Sequence, residues 1–203
     1  MKMHGAMAAL AVVVVMAVAQ AASARNLSST SAETPSGAIW SALRMEAGGM
    51  EATCPITLGG SLEVGSLVKR AGTRFGVVSE VRSGTCSRGA VTVLTETLPW
   101  AMTYTSFAGT LPNISSITVN LIGLAMRVEL GGIGCLVRTE SAQPARGIAT
   151  LRREEFGDLL PTEIRADETA TIGLTGEFFC SFAGRGHFAG TGTLSSGIAI
   201  HLI

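Results

Sequence analysis

Residues 52–58 read "ATCPITL", and their alternation decides the fold. Ala52, Cys54, Ile56 and Leu58 are apolar whereas Thr53, Pro55 and Thr57 are not, a period of two that turns one face of a strand toward a core. Pro55 gives a ladder no amide hydrogen, so it marks an edge or a bulge. The same period recurs downstream. In "FGVVSEV" Phe75, Val77 and Val81 take odd positions, and "AVTVLTETL" is rich in β-branched residues after the turn-like Ser87-Arg88-Gly89. "LAMRVEL" sets Leu124, Met126, Val128 and Leu130 against Arg127 and Glu129, and "ETATIGL" sets Ala170, Ile172 and Leu174 against Thr169 and Thr171. "GIAIHLI" closes the chain with Ile198, Ile200 and Leu202. Strand-sized runs separated by Gly, Ser and Pro, with no long amphipathic helix, predict an all-β chain: an antiparallel β-sandwich, or a barrel-like relative, of about eight to ten strands.

The segment 97–112, "TLPWAMTYTSFAGTLP", fits the same scheme. Trp100, Met102 and Tyr104 alternate with Ala101, Thr103 and Thr105, so the bulky residues of this strand share one side. Each "TLP" acts as punctuation at a strand boundary. In the "NISSITVNLIG" that follows, Ile117, Val119 and Leu121 again share a face. Buried aromatic residues are core by default; Trp100, Tyr104, Phe178 and Phe182 become a ligand face only if the fold leaves them lining an open groove.

Upstream, "MKMHGAMAALAVVVVMAVAQAASA" carries Lys2, an uncharged apolar run over about 6–19 and the small-x-small triplet Ala22-Ser23-Ala24. That is the pattern of a secretory signal over residues 1–24, too short in its apolar part to span a bilayer. Its removal takes one Lys, so the formal charge moves from 0 to −1. A near-neutral chain with scattered Arg gives no basic face for nucleic acid or an anionic membrane, and after cleavage no membrane span is expected. Only 15% of residues are charged, leaving Thr, Ser and Gly to supply much of the polar surface. Residues 25–50 read as a flexible spacer with a faint helical spacing at Ile39, Trp40, Leu43 and Met45, and residues 51–203 as a single domain. Within it, residues 143–165, "QPARGIATLRREEFGDLLPTEIR", hold Arg146, Arg152, Arg153, Glu154, Glu155 and Asp158 without a clean period. They read as a charged surface excursion with a helical turn at "LRREEFGDLL".

Four cysteines, Cys54, Cys86, Cys135 and Cys180, follow the signal, and an even count in an oxidising compartment implies two disulfides. Of the three connectivities that four cysteines allow, the one expected here is Cys54 with Cys180 and Cys86 with Cys135.

Catalytic signatures are scarce. His187 sits in "AGRGHFAGTG" and His201 in the last strand, with nothing near either in sequence that resembles a zinc site. "GGSLE" around Ser61 and "RSGTC" around Ser83 both miss the nucleophile elbow. Glu154 with Glu155 and Asp167 with Glu168 are adjacent pairs, and neighbours on a strand point to opposite faces. The Gly-rich "GRGHFAGTGTLSSG" lacks the strand, Gly-x-Gly-x-x-Gly and helix order of a phosphate cradle, and its glycines suit turns and bulges. No cofactor, metal or catalytic residue is assigned.

"CPITLGGSL", with a second Cys and "ETLPW" after it, resembles a loose group of small exported bacterial proteins that includes the protein activators of alkane oxidation, over about residues 54–203. The resemblance implies a secreted, disulfide-containing β domain without an established catalytic centre, and it transfers no site residue. The expectation is a non-enzymatic secreted or cell-envelope protein that acts by surface contact, by self-association or by binding an apolar or envelope ligand. The alternative is a secreted hydrolase whose site forms only in the fold, with His187 or His201 as base.

Overall fold

A computed structural model of the chain describes residues 26–29, 36–47, 49–63, 65–68, 70–110, 113–130, 132–154, 159–176, 180, 184–195 and 200–202. The segment read as a signal lies outside them. Among the described residues fifteen strands follow one another: β1 (Asn26–Ser29), β2 (Ser36–Ala47), β3 (Met50–Leu62), β4 (Gly65–Val68), β5 (Arg74–Ser83), β6 (Ala90–Val93), β7 (Trp100–Thr110), β8 (Asn113–Ile122), β9 (Ala125–Leu130), β10 (Ile133–Arg138), β11 (Ala145–Arg153), β12 (Leu159–Ala166), β13 (Ile172–Gly176), β14 (Arg185–Ser195) and β15 (Ile200–Leu202). Every pairing is antiparallel, as the period of two predicts. The strands outnumber the expected eight to ten because several short ones flank a larger body.

That body is a barrel. β2 pairs with β3, β3 with β5, β5 with β7, β7 with β8, β8 with β11, β11 with β12 and β12 with β14. β14 then pairs back onto β2, with His187 opposite Glu46 and Thr193 opposite Ile39. Eight strands taken in chain order therefore close on themselves, an up-and-down barrel in which none of the eight is left as a free edge. At one end β13 leaves β14 and carries a small sheet, β13–β10–β9–β6. Its Met126, Val128, Val137, Ile172 and Leu174 are buried in one cluster with the barrel's Trp40, Leu43, Met45 and Cys54, so the small sheet packs over that end. β1 joins β15 and β4, and this group meets the barrel through Leu159 opposite Ile200.

Three readings from sequence are corrected. Residues 36–47 belong to the barrel, not to a spacer or a helix. A bulge between Trp40 and Leu43 in the pairing with β3 breaks the alternation there, and that break imitates a helical spacing. Residues 143–165 are mostly β11 and β12, not an excursion. Beside Leu151 and Ile164, several of their inward positions are small or irregular (Ala145, Gly147, Ala149, Pro161) and the register shifts between Thr150 and Leu151, so the charges of the outer face dominate the pattern. On β5 the lumen side chains are Phe75 and Val78, three apart, because the bulge opposite β7 between Arg74 and Gly76 shifts the parity expected from Phe75 and Val77.

The disulfides also differ from expectation. Cys54 bonds Cys86 and Cys135 bonds Cys180. Both pairings are local in the sheet. β5 ends beside Cys54, with Ser83 opposite Ile56, and the Ser87 amide donates to the Thr53 carbonyl at 2.8 Å, which leaves Cys86 next to Cys54. On the small sheet Cys135 lies opposite Gly176 of β13, and the chain reaches Cys180 four residues later.

Candidate ligand-binding site

Alternation along the eight barrel strands sends one set of side chains into the lumen and the other to the outer wall. The inward set is apolar. It encloses a cavity of about 140 Å³ to which all eight barrel strands contribute, and every residue on its wall is apolar or glycine. Phe75, Ile117, Leu151 and Leu194 line this first chamber alone. A second chamber of about 100 Å³ lies toward the small sheet, where Leu43, Ile56, Leu121, Leu124, Met126 and Phe188 join the wall. Trp40, Leu58, Val78, Met102, Val119 and Ile164 line both, so the chambers share a waist.

Asn120 and Arg146 reach the wall of the second chamber, but they stand opposite each other between Val119 and Leu121 on β8 and between Ala145 and Gly147 on β11. Alternation places their side chains on the outer face. There the Arg146 Nε donates to the Asn120 Oδ1 at 3.5 Å and Nη1 meets the Asp167 Oδ2 at 3.5 Å. Partial burial pulls the Asp167 carboxyl upward, but hydrogen bonds from the Thr169 hydroxyl and amide, together with Arg146, outweigh it and hold the group below its ordinary value.

Trp40 is only 5% exposed and its indole N–H finds no acceptor among the described residues. Gly192 of β14 makes room for it: a Cβ there would lie 2.7 Å from the Trp40 Cδ2 and 3.0 Å from the Ile39 carbonyl oxygen. Glycine at this position lets the ring lie against the barrel backbone.

Of the four aromatic residues considered from sequence, the two that are described, Trp100 and Tyr104, do not line an open face. Trp100 is fully buried, and its Nε1 donates to the Thr97 Oγ1 at 2.9 Å. Tyr104 is 8% exposed in a second cluster with Ile114, Ile117, Leu151 and Leu159, and burial raises the pKa of its phenol. Both are core. Phe178 and Phe182 lie outside the described residues. His187 stands on the outer side of the β14–β2 seam, where its Nε2 is 3.3 Å from the Glu46 Oε2, a cross-strand pair. The space beside that pair is about 20 Å³, room for one water molecule. Only the backbone of His201 is described. Among the described residues no three His, Cys, Asp or Glu side chains gather as a metal site.

Ile56, Leu58, Phe75, Met102, Ile117, Val119, Leu121, Leu124 and Met126 take inward positions of strands that alternate in sequence, but their convergence on one lumen is not legible there, and neither are the other wall residues. Trp40 escapes the pattern because its strand reads as a faint helix. The eight in-order strands with Gly-rich turns were the signal that could have raised a closed barrel above a sandwich.

The outer wall is the polar one. Among the described side chains Ile39, at 48%, is the large hydrophobic residue left exposed. The ion pairs, Arg44 with Glu51, Arg74 with Glu63, Arg82 with Glu80 and Arg152 with Glu154, lie on the surface. A barrel that crosses a lipid bilayer carries an apolar band outside and polar residues within; this barrel has the reverse polarity. Comparison of the chain with protein-family models, with curated proteins and with solved structures returned no match.

Proposed function

We propose that this protein is a non-enzymatic exported binding protein that holds a small apolar molecule inside its barrel. The observation that carries the reading is the lumen, a closed eight-stranded wall around two adjoining chambers that share six wall residues and are faced by apolar side chains. Barrels of this strand number are wide enough for a filled core or for one small ligand. The space left between the side chains favours the second use, since an apolar cavity of this size stays dry and takes up apolar guests. A polar outer wall suits a carrier that moves through water with its cargo enclosed. Export is supported by the leader-like residues 1–24 and by the two disulfides, which persist in oxidising compartments.

The test is binding of a neutral environment-sensitive probe, N-phenyl-1-naphthylamine, by the disulfide-intact chain lacking residues 1–24. It is read as saturable probe fluorescence together with mass spectrometry of apolar compounds extracted from the protein as purified. Saturable uptake that Val119→Trp suppresses supports the lumen as the site. Uptake untouched by substitutions on the wall, or no uptake at all, removes the reading.

A further inference from the structure

We infer that the ligand is an elongated, uncharged, apolar molecule that fills both chambers at once, its middle held in the waist formed by Trp40, Leu58, Val78, Met102, Val119 and Ile164. The inference rests on the lumen being the binding site, as proposed above, and goes on to the shape and chemistry of the occupant.

Volume speaks for length. A dry engineered cavity of about 150 Å³ takes one benzene ring, and the first chamber, at about 140 Å³, is of that size. A ring-sized guest would fill it and leave the second chamber, about 100 Å³, empty. The walls of that empty chamber would then lack the close contacts that dispersion rewards. A ring bearing a chain reaches through the waist and meets both walls. Met102, unbranched and adaptable, lines the passage together with Val119 and Ile164.

The wall speaks for neutrality. An ion drawn into the lumen would lose its hydration and meet no partner, because the charged side chains of Arg146 and Asp167 are turned to the outer face and engaged with each other. The one polar side-chain group on the walls of the waist is the Trp40 indole N–H, a donor with no acceptor among the described residues. A guest with one acceptor atom near its middle is therefore tolerated; one with several polar groups is not.

The experiment is a titration of the disulfide-intact chain with a homologous series from benzene through octylbenzene, with the phenylalkanoate anions of matching length alongside. Affinity is expected to rise roughly fourfold for each added CH2 until both chambers are filled, and then to level off. The anions are expected to bind at least tenfold more weakly than the hydrocarbons. Val119→Trp, which narrows the waist, should remove the gain with chain length; Ile164→Phe makes the same test at a second position, with circular dichroism to confirm that each variant folds. Binding that does not depend on chain length overturns the two-chamber occupant while leaving the lumen as a site. Anions binding as tightly as the hydrocarbons overturn its neutrality. If no member of the series binds, the lumen reading itself falls.

Discussion

Loss of the two disulfides, one at a time and together, is the perturbation whose size follows most directly from the connectivity. Cys54 and Cys86 close a loop with a separation of 32 residues, and Cys135 and Cys180 one of 45. In the chain-entropy account these cross-links restrict the unfolded chain by about 3.7 and about 4.0 kcal/mol at 25 °C. The two loops neither overlap nor nest, because the first ends at Cys86 and the second begins at Cys135. The effects of Cys54→Ala with Cys86→Ala and of Cys135→Ala with Cys180→Ala should therefore add to within about 0.5 kcal/mol. Their sum rivals the whole stability of a typical domain, about 5–15 kcal/mol, so the variant lacking all four cysteines should be marginal or unfolded. Guanidinium unfolding of each variant, followed by circular dichroism, measures the losses, and peptide mapping without reductant fixes the pairing. A linkage of Cys54 to Cys180 would refute the topology outright. Losses below about 1 kcal/mol for either pair would refute the entropic argument even with the pairing intact.

Two further outcomes test the wall and the surface. Gly192→Val places carbon where the Trp40 ring lies, so it should cost about 1–3 kcal/mol of stability and change the Trp40 emission; a variant with native stability and spectrum would show that the ring does not rest there. The Asp167 carboxyl is held below its ordinary value by Thr169 and Arg146, so its stabilising contribution is complete above the unfolded-state pKa, near 3.8, and is lost as pH falls through the lower folded value. Asp167→Asn should therefore flatten the acid side of the stability profile below about pH 4, and an unchanged acid limb in denaturant titrations would contradict this.

How much of this molecule can be read in its sequence depends on where alternation survives. β3 and β9 keep it cleanly: Ala52, Cys54 and Ile56 are buried, and so are Met126 and Val128. Ile117, Val119 and Leu121 of β8 likewise take the single face that their spacing implies, toward the chambers. Alternation fails at bulges, because one extra residue exchanges the inner and outer sets for the rest of the strand. β2 and β5 depart from the sequence pattern for this reason, and with β2 goes Trp40, the one aromatic residue among those described that borders both chambers. On β11 and β12 the failure was chemical. Gly147, Ala149 and Pro161 face the lumen without the bulk that announces a core position, while Arg146, Arg152 and Glu163 announce only the outer face.

Closure of the barrel was the part no local pattern could carry. It depends on β14 meeting β12 on one side and β2 on the other, a contact between residues 186–195 and 37–47 that spans most of the chain. The glycines that read as turn residues serve this contact. Gly190, at φ 132°, and Gly192 fall where the β14–β2 register breaks between Ala189 and Thr193. Side chains at either position would press on the Ala42 carbonyl or on the Trp40 ring. The same two glycines thus let the last barrel strand approach the first and let the indole lie against the wall. A substitution that opened the seam would disturb the lumen as well, so closure and the shape of the ligand space are set by one local feature of β14.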